Sequence, residues 1–260
     1  MKISIITPSY NQKNFIERTI VSVIKQSYSD IEYILVDGCS YDGTNEIISK
    51  YSTYFSNVII ESDCGQAQAI NKGLRLATGE IIGWINSDDL FLPDTLEKIV
   101  RNFILHPEID FVYGKANFID ENDNILGCYP TFQLPKGKAK YKFWKGWPIP
   151  QPTVFFRRVL FEKYGYLDEG LTYAMDFEYY LRLSNSANIG YIPELLAYYR
   201  IHKKSKTSNW EVSKPLFYNE CIKIIKKYVP PTNISNFPIW SSWYLYLIKE
   251  KIKSILLINE

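Results

Sequence analysis

Between Gly83 and Pro93 the chain reads GWINSDDLFLP. Its polar residues Asn86, Ser87, Asp88 and Asp89 follow directly on the apolar, β-prone run Glu80 to Ile85 (EIIGWI), so a core strand ends in adjacent carboxylates. Two such groups repel, and beside an apolar strand the repulsion is poorly screened, which makes a cation their natural partner. Hard oxygen ligands favour Mg²⁺ or Mn²⁺, and Mg²⁺ is usually held by one or two carboxylates together with substrate phosphates. The pair therefore points to a ligand with a diphosphate. Neither GxxxxGKS/T nor GxGxxG occurs, so no P-loop or dinucleotide fingerprint supplies a phosphate site and the metal would carry that load.

Other polar residues fall at predicted strand ends: Thr7, Pro8, Ser9, Tyr10 and Asn11 after the first, Asp37 and Gly38 after the second, Asp63 after the third. Singly, such residues cap helices and shape turns, as Asp42-Gly43 would, and Asp89 would equally suit the turn into the helix after Pro93. Four such ends on one rim read instead as a ligand site.

The elements that must position these residues alternate between two periods. Strands are expected at Ile3 to Thr7, Glu32 to Val36, Val58 to Glu61 and Glu80 to Ile85. Helices are expected at Asn14 to Tyr28, opened by a capping-box-like Asn14/Glu17 pair, at Asn45 to Tyr54, at Gln66 to Ala77, and from Pro93 to Leu105. This is an α/β pattern, a mostly parallel sheet flanked by helices on both faces, whose ligands gather at the strands' carboxyl ends. Beyond His106 the pattern turns α+β, with strands at Asp110 to Lys115, Ile125 to Tyr129 and Thr153 to Phe156 and a Lys- and Pro-rich connection from Leu134 to Pro152. From Asn209 two helices are split by Pro230 and Pro231. The expected organisation is residues 1–105, 106–208 and a helical extension, 209–260.

Lys and Arg total 30 against 28 for Asp and Glu, a net +2 too balanced for a nucleic-acid binder. The cysteines Cys39, Cys64, Cys128 and Cys221 have neither metal-ligand spacing nor the look of a disulfide framework, which fits a reducing cytosol. The opening MKISIITPSYN has too short an apolar run for a signal-peptide core, and no apolar segment approaches the roughly 20 residues of a membrane span. A cytoplasmic protein is expected.

The segments TPSYN, VDGCSYDGT and GQAQAINKGLRLATGEIIGWINSDD, followed in order by QPTVFFRR, YAMDFEYYLRL and YRIHKKSKT, resemble glycosyltransferase family 2 over about residues 1–207. The resemblance implies the Rossmann-like A-type glycosyltransferase fold, with a nucleotide-sugar half (1–105) and an acceptor half (106–208). It implies that Thr7, Pro8 and Tyr10 border base and ribose, that Asp37 accepts hydrogen bonds from either, and that Gln66, Asn71 and Lys72 flank the donor. Ser87 and Asp88 would lie by the ribose and donor sugar, and Asp89 would hold the divalent metal, Mn²⁺ or Mg²⁺. The family usually has Asp at the position of Asn86 and often a second acidic residue at that of Gly38, so Asn86 is left out of the metal set.

In MDFEYYLRL, Phe177, Tyr179, Tyr180, Leu181 and Leu183 share one helical sector, and Asp176 falls inside it. Glu178 and Arg182, spaced i to i+4, read as an exposed pair. Asp176 suits a helix N-cap; by resemblance it is the catalytic aspartate, a general base, with Met175 where Glu is common. His106, before Pro107, reads as a helix-end residue. His202 reads as a surface residue, or by resemblance as a diphosphate contact or metal ligand. Lys203, Lys204 and Lys206 suit a solvated face or a basic flap over a diphosphate.

The activity implied is metal-dependent, inverting transfer of a sugar from a nucleoside-diphosphate sugar to a saccharide or lipid-linked saccharide hydroxyl in surface polysaccharide or glycolipid synthesis. A processive synthase is disfavoured by the lack of QxxRW, and a sugar nucleotidyltransferase by the lack of a Gly-rich basic N-terminal loop; Asn86 would suit a binding module without turnover. The last helix, Trp240 to Ile258, is basic and aromatic. It suits packing on the domain or peripheral contact with the inner face of the membrane.

Overall fold

The computed structural model describes residues 1–134, 147–184, 186–203, 205–206 and 210–256. Part of the expected Leu134 to Pro152 connection, Lys204, and the end of the last helix lie outside the described residues.

The first half follows the alternation. β1 (Ile3–Ser9), β2 (Ile31–Asp37), β3 (Asn57–Ile60) and β4 (Ile81–Trp84) are joined by α1 (Ile16–Ile24), α2 (Thr44–Lys50) and α3 (Gln66–Leu76). β1 pairs in parallel with β2 and β4, and β2 with β3. A strand covered on both faces is buried along its length, and all seven residues of β1 are buried. Ile3 and Ile5 pack in the layer of Ile16, Ile20 and Val23 from α1, whereas Ile6 joins Ala67, Ile70 and Leu74 of α3 in the layer on the other face. Gly73 makes that second contact close: a Cβ there would come within 2.6 Å of Ile6 Cγ2.

The second half extends the same sheet. It contributes β5 (Leu90–Phe91), α4 (Thr95–Leu105), β6 (Phe111–Ile119), β7 (Ile125–Cys128), β8 (Phe155–Arg157), α5 (Val159–Tyr164), α6 (Met175–Leu183) and β9 (Ile189–Arg200). Among the described residues the order is β3-β2-β1-β4-β8-β6-β9-β5, with β7 paired to β6. β8 runs antiparallel to both β4 and β6, and β6 runs parallel to β9. β5 pairs with β9, placing Leu90 opposite Tyr198, so the chain leaving Asp89 is tied to the strand that leads to His202.

The extension forms α7 (Trp210–Tyr228) and α8 (Phe237–Leu256). Ile224 and Ile225 of α7, Val229 just after it, and Ile239, Trp240 and Trp243 of α8 close a third core with Ala174, Phe177 and Leu181 around α6. The beginning of the last helix therefore packs. No helix among the described residues is long and apolar enough to cross a membrane.

Three local expectations are corrected. The Asn14/Glu17 capping box does not form: α1 starts at Ile16 behind Phe15, whose amide and that of Ile16 donate to Gln12 O, and Glu17 instead accepts from the Tyr51 hydroxyl. Pro93 does not open α4, because Asp94 takes a left-handed conformation (φ 61°) and the helix begins at Thr95. Glu178 is 1% exposed, not a surface residue; it accepts from Arg182 and from the Tyr228 hydroxyl, with Lys227 Nζ 3.5 Å away. The helix of α7 covers it, and a carboxylate so covered needs those partners to offset its lost hydration.

Candidate active site

Parallel pairing in register brings the carboxyl ends of β1, β2 and β4 to one edge: Ser9 lies opposite Asp37, and Ile85 N–H continues the ladder to Ile6 O beyond β4. The polar residues read from the sequence thus share one rim, but they divide between cleft and scaffold.

Thr7 and Pro8 lie under the rim, with Thr7 Oγ1 3.1 Å from the Tyr33 hydroxyl. Asp37 is fully buried, and its two oxygens accept from Ser40 N–H and Ser40 Oγ, each at 2.7 Å, shaping the turn after β2. Asp42 likewise accepts from Thr44 N–H (3.0 Å) across Gly43, whose φ of 99° the turn requires. Tyr10 stands out at the rim, 55% exposed, its ring edge-on to that of Tyr41. Beside them Gly38 lies close under two side chains: a Cβ would meet Asp63 Oδ2 at 2.8 Å and the Tyr10 ring at 3.2 Å, so either would have to shift. A carboxylate thus reaches this spot from the loop after β3.

The NSDD turn is held from several sides. Asn86 donates to Gln151 Oε1 (2.9 Å) and Asp89 Oδ2 (3.2 Å) and accepts from Gln66 Nε2 (2.6 Å), while Gln151 Nε2 anchors on Trp84 O. Only an amide can both donate and accept here, which explains why Asn stands at this position. Asp89 is 2% exposed; Oδ1 accepts from Arg200 N–H at 2.8 Å and Oδ2 from Asn86. Burial, then the Asp88 charge, push its carboxyl well above the usual range. Arg200, buried and unassigned from sequence, ties the turn to the β6–β7 hairpin through Asp88 O (2.7 Å), Asp120 O (2.6 Å) and Asp123 (2.6 Å). Ser87 is buried within the turn.

Asp88 faces out of this scaffold, and its Oδ2 lies 2.9 Å from His202 Nε2. The histidine is not at the surface: its ring is buried against Phe15, centroids 4.4 Å apart. Lys206 donates to Gln66 Oε1 (3.0 Å) and Thr172 O (3.1 Å), crossing from the start of α3 to the loop before α6. Partial desolvation lowers its pKa although the residue reaches the surface, and the charges of Asp176, Glu220, Asp63 and Asp88 oppose that shift.

Asp176 lies in the first turn of α6, whose Phe177, Tyr179, Tyr180, Leu181 and Leu183 are all buried. Its Oδ1 accepts from Phe177 N–H at 2.7 Å; among the described residues Oδ2 has no hydrogen-bond donor. Though part of its surface stays open, it is set deep, and burial pushes its carboxyl up to about 6 against the pull of the Phe177 amide and Lys206. A carboxylate poised near neutrality in a cleft is suited to proton transfer.

Two expected donor contacts point elsewhere. Asn71 is buried and exchanges hydrogen bonds with the Leu167 backbone (2.9 and 3.0 Å) while donating to Glu169. Lys72 pairs with Glu61 (2.9 Å) and Ser62 O. Both brace α3 against its neighbours. His106 is the residue after α4, its N–H bonded to Asn102 O, as a helix-end residue should be.

Known proteins share this framework. The model of Glycosyl transferase family 2 matches residues 4–165. Over 222 residues the chain is 30% identical to the putative teichuronic acid biosynthesis glycosyltransferase TuaG of Bacillus subtilis, covering 83% of this chain and 86% of that one. Over 215 residues it is 30% identical to WfgD of Escherichia coli, a UDP-Glc:alpha-D-GlcNAc-diphosphoundecaprenol beta-1,3-glucosyltransferase, covering 80% of each. The crystal structure of S. aureus TarS with UDP-GlcNAc matches with a TM-score of 0.70 at 23% identity, over 89% of this chain and 67% of that chain. The mannosyltransferase PcManGT of Pyrobaculum calidifontis, with GDP-Man and Mn²⁺, matches with a TM-score of 0.62 at 19% identity, over 87% and 67%. The curled sheet flanked by helices is thus the A-type glycosyltransferase fold expected from the sequence.

Proposed function

Since the chain belongs to glycosyltransferase family 2, we propose that it is an inverting, metal-dependent enzyme that moves a sugar from a nucleoside-diphosphate donor to a hydroxyl of a saccharide or lipid-linked saccharide. The observation that carries this reading is the Asp88–His202 contact at the strand-end rim, with Lys206 bridging Gln66 and Thr172 within electrostatic reach of Asp88 and of the half-buried Asp176. One side of such a site suits a diphosphate and the other a proton acceptor.

Asp88 and His202 fit a divalent ion. A carboxylate oxygen beside an imidazole nitrogen suits Mn²⁺ and, with the diphosphate oxygens completing the shell, tolerates Mg²⁺. Asp89 fits less well, since it is 2% exposed and its two oxygens face Arg200 N–H and Asn86 inside the protein. The metal role expected of Asp89 therefore passes to Asp88. A bound ion would offset the charge that builds on the leaving diphosphate.

The chain's own residues do the rest. Asp176 takes the proton of the acceptor hydroxyl while that oxygen attacks the anomeric carbon from the face opposite the diphosphate. The anomeric C–O bond breaks, the nucleoside diphosphate leaves, and the configuration inverts. A carboxyl near 6 is mostly ionised at pH 7 yet more basic than an ordinary one. Lys206 supplies the positive charge between the two sides. Tyr10 and Tyr41 offer flat exposed faces for the base, with Asp63 beside Gly38 within reach of the ribose.

The acceptor class rests on TuaG and WfgD, each 30% identical over most of both chains. Phe237, Tyr244 and Leu245, exposed on the outer side of α8, support peripheral contact at the cytoplasmic face of a membrane. Asn86 no longer argues for a binding module without turnover, because its amide has structural work.

Thermal shift with UDP-glucose, UDP-GlcNAc and GDP-mannose, each with Mn²⁺ and with EDTA, tests the reading. A ligand at 100 times its Kd stabilises by about 2.7 kcal/mol. At least one donor should raise the melting temperature in a Mn²⁺-dependent way, followed by release of its nucleoside diphosphate; no shift from any would refute the proposal.

A further inference from the structure

Glu220 of α7 reaches back to three consecutive backbone amides at the start of α6. Its Oε1 accepts from Thr172 N–H at 3.0 Å, and its Oε2 from Tyr173 and Ala174 at 2.9 and 2.8 Å. Ala174 is the residue from which α6 springs: its carbonyl accepts the helix's first bond, from Glu178 N–H at 2.9 Å, and its own side chain can cap nothing. Successive amides converging on one carboxylate form an anion nest, and bonds to a charged acceptor are the strong kind.

The element that carries Glu220 is itself fixed. Cys221, Ile224 and Ile225 of α7 pack on Ala174, Phe177 and Leu181, so the helix cannot slide along α6 without opening that core. Asp176 follows Ala174 by two residues, and the amide its Oδ1 holds is in the same turn.

We propose that Glu220 is a positioning residue for the base: from the C-terminal extension it fixes residues 172–174, and with them the turn that aims Asp176 into the cleft. This rests on the reading of Asp176 as base and assigns the extension a part in transfer. The electrostatics agree. Among the described residues, the titratable groups around Asp176 are Lys206 after β9, Glu220 and Cys221 of α7, Tyr129 after β7 and Tyr180 of α6. Burial sets the carboxyl's proton affinity; Glu220 raises it and Lys206 lowers it.

The test uses the full chain and needs no acceptor. Wild type, Asp176→Asn, Glu220→Gln and the double variant are unfolded thermally from pH 4 to 8, and amide exchange is followed over residues 172–178. With Glu220 present, the stability difference made by Asp176→Asn should build up from about pH 4 and be complete just above pH 6. With Glu220→Gln it should be complete at a lower pH, and exchange at residues 172–174 should quicken about tenfold or more. An unchanged pH of completion or unchanged exchange overturns the proposal. Should Glu220→Gln fail to fold, wild-type exchange decides: slow amides at 172–174 support the nest and solvent-rate exchange overturns it. Release of UDP from UDP-glucose separates the two readings. Loss with Asp176→Asn but a kcat within twofold of wild type for Glu220→Gln refutes positioning alone, whereas retained turnover in Asp176→Asn refutes the base.

Discussion

Asp88 and His202, 114 residues apart, meet with Oδ2 and Nε2 2.9 Å from one another, while Asp89, the next residue, faces into the protein. Adjacent carboxylates have been assigned to opposite sides of one turn. The β5–β9 pairing and the Arg200 N–H bond to Asp89 make the division, and they leave Asp88 for the cleft.

Two substitutions should therefore behave differently. Asp88→Ala should keep the fold and abolish the tightening of UDP binding by Mn²⁺, and His202→Ala should weaken it. Asp89→Ala should chiefly destabilise, because it leaves the buried Arg200 N–H and an Asn86 amide hydrogen without acceptors, at roughly 2–4 kcal/mol. Calorimetry with and without EDTA, beside melting curves, measures both. Metal enhancement intact in Asp88→Ala would return the ligand role to another residue.

Asn86→Asp restores the family's usual residue and should nonetheless harm this chain. The new carboxylate would face Asp89 across the present 3.2 Å contact and would lose the donor that Gln151 Oε1 now accepts. Like charges so placed in a poorly hydrated turn should cost about 1–3 kcal/mol, or several degrees in melting temperature. A variant as stable as wild type would show that the amide network is dispensable.

Periodicity carried most of the fold into view. The alternation of short apolar-rich strands with helical periods announced a sheet covered on both faces, and the register of β1, β2 and β4 placed the strand ends on one rim. What stayed hidden depended on partners distant in sequence. Nothing local separates Asp88 from Asp89, since Arg200 decides which one is buried. Glu178 and Arg182 have the spacing of a surface pair, and only α7 covers them. Asn71 and Lys72 lie in a segment that resembles a donor flank, but Leu167 and Glu61 claim their polar atoms. Glu220 falls beyond the motifs and has no local signal, because the amides it holds are 46 to 48 residues away.

The tail should show two separable faces. Trp243→Ala removes a buried ring that packs on Tyr218 and Tyr246 and should cost about 3–5 kcal/mol with little change in vesicle binding. Phe237→Asp with Leu245→Asp changes exposed positions and should leave the melting temperature nearly unaltered while reducing flotation with anionic vesicles. Wild-type protein that does not float would end the membrane half of this expectation and leave the packing half standing.

Asp176→Asn joins mechanism to stability. The carboxyl holds its proton up to about 6 because burial disfavours the charge. Its neutral form stabilises the fold fully below the unfolded pKa near 4, and that contribution is lost as pH rises through about 6. The amide imitates the neutral form, so the variant should match wild type at pH 4 and exceed it at pH 8 by an amount on the order of 2 kcal/mol. Transfer should move the other way. Without a proton acceptor kcat should fall roughly 10²- to 10⁴-fold at unchanged donor affinity, and the wild-type rate should itself decline as pH drops below about 6. A helix cap would do neither, since Asn caps about as well as Asp. Melting curves at the two pH values and single-turnover transfer read the two halves independently. A variant that is no more stable at pH 8 and transfers at the wild-type rate would remove Asp176 from the chemistry and make the Phe177 amide its whole purpose.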